Sequence, residues 1–96
     1  SGARIGLRQQ AVALDPGYAE AYYDRANVSM LAKKYEEAIS FYSKAISTRD
    51  NYAQAYYYRG FAKLYSDKKE AACQDFRKAA DLGYKPAADA LSRNCK

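Results

Sequence analysis

Apolar positions recur along this chain at helical spacing, and the pattern comes round twice. From Tyr18 to Ala32, the residues Tyr22, Ala26 and Ser29 share one side of a helix, with Tyr23, Asn27, Met30 and Leu31 on the adjacent side. Lys33-Lys34 makes a turn. From Tyr35 to Thr48 the stripe is Ala38, Tyr42, Ala45 and Ile46, at i, i+4, i+7 and i+8. After the turn Arg49-Asp50-Asn51, the spacing predicts a third helix over Ala53–Ser66. It carries Tyr56, Gly60 and Lys63 on one side and Tyr57, Phe61, Leu64 and Tyr65 on the next. A fourth, Lys69–Leu82, carries Ala72, Phe76 and Ala79. Gly83 stands where a left-handed C-terminal cap belongs, and Pro86 suits the first turn of a last short helix, Pro86–Asn94. Upstream, Ile5, Leu7, Ala11, Val12 and Leu14 predict a helix over Arg4–Leu14, which Asp15-Pro16-Gly17 stops.

The second pair of helices repeats the first. Ala19, Ala21, Tyr22, Tyr23 and Arg25 fall over Ala53, Ala55, Tyr56, Tyr57 and Arg59, at an offset of about 34 residues, the period of a helix–turn–helix solenoid. Lys34, Glu36, Ala38, Lys44 and Ala45 fall over Lys68, Glu70, Ala72, Lys78 and Ala79. Small residues (Ala26 and Gly60, Ala38 and Ala72, Ala45 and Ala79) stand beside large ones (Tyr22, Tyr42, Tyr56, Phe76), the alternation that lets helices cross closely. The expected architecture is all-α, a solenoid of antiparallel helix pairs with about six helices. Residues 3–17 are the second helix of a preceding partial repeat, 18–52 and 53–85 the two units, and 86–96 a capping helix, in one domain spanning 1–96. The first helix lacks a partner in this reading, so it is expected to pair with another copy of the chain or with upstream repeats.

Composition removes several functions. There is no histidine and no tryptophan, so the commonest general base and metal ligand is missing. Neither a catalytic triad, nor a glycine-rich phosphate loop, nor a metal cluster is spelled out; no enzyme, cofactor or metal is expected. No apolar run approaches the roughly 20 residues of a membrane span. The net charge is +5, but basic and acidic residues interleave, so a solvated face is favoured over a nucleic-acid surface. Cys73 and Cys95 are the only cysteines. If the last helix folds back on the one before it they meet in a disulfide, which implies an oxidising compartment such as the periplasm; otherwise they are a buried thiol and a terminal one, compatible with cytoplasm.

The segments Ala21-Tyr22-Tyr23-Asp24-Arg25-Ala26, Tyr35-Glu36-Glu37-Ala38-Ile39 and Tyr42-Ser43-Lys44-Ala45-Ile46 resemble the tetratricopeptide repeat family (TPR). The likeness returns in Ala55-Tyr56-Tyr57-Tyr58-Arg59-Gly60 with Ala72, Phe76 and Lys78-Ala79, and Leu14-Asp15-Pro16 looks like the end of an earlier repeat. The C-terminal end, from Ala79 through Leu91, is closer to the related Sel1-like repeats, and the Ala-Cys-Gln-Asp-Phe-Arg-Lys-Ala-Ala helix is similar to bacterial repeat proteins. The family's departures here are Asp50 and Tyr84, where proline is common.

The resemblance implies a right-handed superhelix whose first helices line a concave, peptide- or protein-binding face. Its groove positions carry over to Tyr23, Asn27, Met30, Gln54, Tyr57, Phe61, Leu64 and Tyr65, together with Glu20 and Leu31. The plainer expectation is that Met30, Leu31 and Leu64, and some of the rings, pack between neighbouring helices. The clamp with which some members hold chaperone C-terminal carboxylates needs paired cations, and Tyr23, Tyr58, Ala88 and Ser92 replace its polar and basic positions; only Asn27 matches. Arg25 and Arg59 are expected to pack their stems and reach acids on a neighbouring helix, as exposed pairs of small effect. The function implied is that of a protein-interaction scaffold or adaptor. A structural repeat without its own ligand, or a basic nucleic-acid surface, are the alternatives.

Overall fold

The computed structural model of the protein describes residues 16–95. Among the described residues there are five helices and no strand: α1 (Pro16–Leu31), α2 (Tyr35–Thr48), α3 (Ala53–Tyr65), α4 (Lys69–Asp81) and α5 (Lys85–Asn94). Each packs on the next in chain order, as a helical repeat requires. The helix expected over Arg4–Leu14 lies outside the described residues.

The boundaries differ from expectation by no more than two residues. α1 begins at Pro16, two residues before the expected Tyr18. Proline lacks only an N–H that the first turn leaves unused, so it fits this opening position. At their other ends α1, α3 and α4 close in one way. Lys33, Asp67 and Gly83 take φ of 61°, 65° and 94°. The following residues, Lys34, Lys68 and Tyr84, donate N–H to the carbonyls of Ser29, Lys63 and Ala79 at 2.8, 2.8 and 3.0 Å. These are Schellman closures, and only the third uses the glycine that such a conformation favours. Lys33 and Asp67 occupy the same place one repeat apart, so the turn is part of the repeat even though its residue type is not.

The core is built mainly from alanine. Ala19, Ala26, Ala38, Ala45, Ala55 and Ala62, with the rings of Tyr42 and Tyr52, form one buried cluster; Ala72, Phe76 and Ala90 form a second. Ala79 and Ala87 are also fully buried. Of the expected spine, Tyr42 and Phe76 are the two largest fully buried side chains. Tyr22 and Tyr56 are instead half-buried on the flank, where Lys44 and Lys78 lie 5.9 and 6.0 Å from their ring centres. A ring there covers the core edge and offers its face to a cation.

The arginine pair splits. Arg59 donates to both carboxylate oxygens of Asp75 on α4 at 2.8 Å each and to Ser43 Oγ on α2 at 3.0 Å. Lys63 adds a third cation contact to Asp75 at 3.0 Å. Asp75 is only 4% exposed, so this is a buried network rather than the weak surface pair expected. Among the described residues Arg25 meets no acid in this way: Phe41 stands where the second unit has Asp75, and the guanidinium lies 5.2 Å from its ring centre.

Cys73 on α4 and Cys95, just past α5, are joined by a disulfide. They are 22 positions apart, and closing a loop of that span stabilises by roughly 3 kcal/mol through the unfolded chain. A ten-residue helix is too short to persist alone. The bridge therefore fixes a helix whose own apolar contribution is Ala87, Ala90 and Leu91.

Candidate peptide-binding groove

Helices α1 and α3 each bring a row of side chains to the surface beside α2, and between them runs a cleft of about 420 Å³. Its walls are Tyr23, Asn27, Met30 and Leu31 from α1, Tyr42 from α2 and Tyr58 from α3. None of these side chains carries a charge at neutral pH.

Tyr23 is the hub. Its ring stacks on Tyr52 at 5.0 Å and meets Tyr42 and Tyr58 at 5.8 and 6.2 Å. Burial pushes its hydroxyl up to about 12, with a hydrogen bond from Asn27 pulling the other way. Burial raises Tyr42 as well, and the Tyr42 hydroxyl donates to Asn27 Oδ1. Asn27 is thereby fixed between two tyrosines at the floor of the cleft. Beyond Tyr23 a smaller hollow of about 180 Å³ continues the surface, lined by Glu20, Arg49, Tyr52 and Gln54. Here Arg49 lies 4.5 Å from the Tyr52 ring centre and pairs with Glu20 at 3.7 Å.

The second unit's rings are arranged differently. Tyr57 meets Tyr58 at 4.9 Å, Phe61 at 5.0 Å and Tyr84 at 5.0 Å. Phe61 meets Phe76 at 4.9 Å. Tyr57, Phe61 and Leu64 pack on the buried cluster of Ala72, Phe76 and Ala90, beside Leu91 and Cys95 of the terminal segment. Burial raises the Tyr57 and Tyr84 hydroxyls too. Tyr65 is 56% exposed, set against Tyr35 at 5.2 Å.

The positions expected from the sequence thus fall in four places. Tyr23, Asn27 and Met30 line the main cleft, and Glu20 and Gln54 the adjoining hollow. Tyr57, Phe61 and Leu64 are half-buried toward α5, and Tyr65 faces outward. Leu31, expected to pack, is 86% exposed at the cleft's end. Two lining residues were missed. Tyr42 was placed only in the spine, although its hydroxyl end reaches the cleft. Tyr58 is one position past Tyr57 and is not among the groove positions that the family resemblance implies, so its part in the wall shows only in the structure.

Among the described residues no group of three His, Cys, Asp or Glu is placed to hold a metal ion, and no helix is long and apolar enough to cross a membrane. Residues 19–52, spanning all but the first turn of α1, all of α2 and the turn after it, match the family model of the tetratricopeptide repeat. Repeats of this kind are in general protein–protein interaction modules and typically not enzymes. No curated protein matches the chain.

Proposed function

We propose that the chain is a scaffold or adaptor module that holds a segment of another protein in the cleft between α1 and α3. The observation that carries this reading is the uncharged, aromatic lining of that cleft, with Asn27 held in place by the Tyr42 hydroxyl. Tyrosine gives a large contact area with few rotors to freeze, and Asn27 gives a polar group whose direction is set before binding. The partner segment is therefore apolar or uncharged where it enters, rather than a carboxylate tail, which would need cationic donors that this lining does not supply.

In this reading 18–52 and 53–85 are two tetratricopeptide-type units and 86–96 a cap whose sequence leans toward Sel1-like repeats. The Cys73–Cys95 bridge supports residence in an oxidising compartment, since cytosolic thiols are kept reduced. The test is a fluorescence-polarisation screen of a random 12-residue peptide library, followed by Tyr23→Ala and Tyr58→Ala. Either change at a ring that anchors a ligand weakens binding by about 30-fold, the usual effect of a hot-spot tyrosine. Selected peptides that bind both variants as tightly as the wild type place the site elsewhere.

A further inference from the structure

The disulfide lies in a charged hollow, not in the core. Cys73 and Cys95 are both half-buried and open on a hollow of about 330 Å³. Its other walls are Lys69, Glu70, Gln74 and Arg77, all exposed side chains of α4. Lys69 and Arg77 stand four residues before and four after Cys73, so one helix face carries cation, sulfur and cation a turn apart. Neither cation is held in an ion pair among the described residues, and Glu70 is the acid that faces them in the lining.

Sulfur in a partly exposed, electropositive place is open to exchange, whereas a buried structural sulfur is inert. A cation beside a cysteine favours its thiolate, and a disulfide exchanges faster when the departing sulfur is the better-stabilised thiolate. Cys73, between Lys69 and Arg77, is that departing sulfur. Cys95, just past α5, is then the sulfur attacked.

The helix that the bridge holds has few other ties. α5 is ten residues long, buries Ala87 and Ala90, and adds the half-buried Leu91. Tyr84 at its head meets Tyr57 at 5.0 Å. Beneath it are Tyr57, Phe61 and Phe76.

We propose that Cys73–Cys95 is an exchangeable bridge through which a dithiol reductant unlatches α5 and bares the ring cluster of Tyr57, Phe61 and Phe76. A thiolate of the reductant attacks Cys95 Sγ, the Cys73–Cys95 bond breaks, and Cys73 leaves as a thiolate between the two cations. The reductant's second thiolate attacks the reductant sulfur of the mixed disulfide and expels Cys95. The dithiol is oxidised to a disulfide, and two electrons and two protons pass to the protein. α5, too short to persist alone, then separates from α4. The proposal is independent of what the cleft holds.

The full chain with its bridge intact is treated with dithiothreitol, and reduction is followed by mass spectrometry of alkylated thiols. Lys69→Gln combined with Arg77→Gln is expected to slow reduction by about threefold or more. Early reaction with 2-mercaptoethanol, stopped with N-ethylmaleimide, is expected to leave the small thiol on Cys95 and the maleimide on Cys73. In the reduced protein the amides of α5 are expected to exchange about tenfold faster or more, while those of α1 and α2 keep their protection. Four results overturn the proposal: a reduction rate indifferent to the two substitutions, the small thiol on Cys73, α5 equally protected without its bridge, or α1 and α2 opening along with it, which would make the bridge a staple of the whole fold.

Discussion

Gly60 lies against the ring of Phe76. A Cβ built on Gly60 would stand 2.6 Å from Phe76 Cε1 and 2.8 Å from Cδ1, closer than real carbon atoms approach. One unit earlier the pair is Ala26 and Tyr42, both fully buried, so the first unit admits a methyl group where the second does not. The two crossings are related by the repeat but are not identical, and the difference is one carbon atom.

Gly60→Ala is therefore destabilising although alanine is the better helix former. The propensity gain is about 1 kcal/mol, and overpacking a filled core costs about 1–3 kcal/mol. The expected outcome is a net loss in urea unfolding, recovered in part by Phe76→Leu, which removes the ring the methyl meets. A Gly60→Ala variant more stable than the wild type would mean that the α3–α4 crossing relaxes freely.

Asp75 is the centre of the second unit's charge network, and its removal strands Arg59 and Lys63 together. Asp75→Ala is expected to cost about 3 kcal/mol, since breaking a buried pair leaves uncompensated charge. Arg25→Ala, which loses only a cation–ring contact on an exposed side chain, is expected to cost less than about 1 kcal/mol. Equal effects in parallel denaturant titrations would contradict the split between the two arginines.

The turns at Lys33 and Asp67 hold ordinary residues in left-handed conformation, with φ of 61° and 65°. Such a residue is penalised by about 1 kcal/mol or more relative to glycine. Lys33→Gly and Asp67→Gly are each expected to raise the unfolding midpoint, less by whatever entropy glycine adds to the unfolded chain. Thermal unfolding by circular dichroism reads this directly, and a lowered midpoint in both would show that the side chains matter more than the backbone angle.

Burial raises the hydroxyls of Tyr23, Tyr42, Tyr52, Tyr57 and Tyr84 above the ordinary value of 10.0. The unfolded chain then releases these protons before the folded one does, so the folded state binds more protons at high pH and loses stability as pH rises. That contribution is complete below about pH 10 and is lost as pH climbs toward about 12, where Tyr23 titrates in the fold. Unfolding midpoints measured from neutral to alkaline pH should fall in that window. Tyr23→Phe should flatten the fall. Absorbance titration should show these tyrosines ionising late or together with unfolding.

The helices were legible because their signals are local. Ala38, Tyr42, Ala45 and Ile46 announce α2 by spacing alone, and Gly83 announces a turn by lacking a side chain. The left-handed turns at Lys33 and Asp67 were not legible as such: lysine does not favour that conformation, and aspartate, which tolerates it, is common in other turns as well. α1 starts two residues before the expected Tyr18, because proline fits the first helical turn. The cleft was half legible. Tyr23, Asn27 and Met30 sit on the expected face, while Tyr58 enters from α3 at a position the first unit fills with an aspartate.

The sequence by itself determined the repeat period, the helical class and the alternation of small and large side chains, because each follows from the 3.6-residue turn of one helix and the steric needs of its own residues. Only the tertiary structure decided that Asp75 is buried beneath two cations, that Cys73 meets Cys95, and that Tyr57 and Phe61 turn toward α5 while Tyr58 turns to the cleft. Those outcomes depend on how neighbouring helices cross. A crossing is set by the packing of both partners at once, and no single helix carries that information in its spacing.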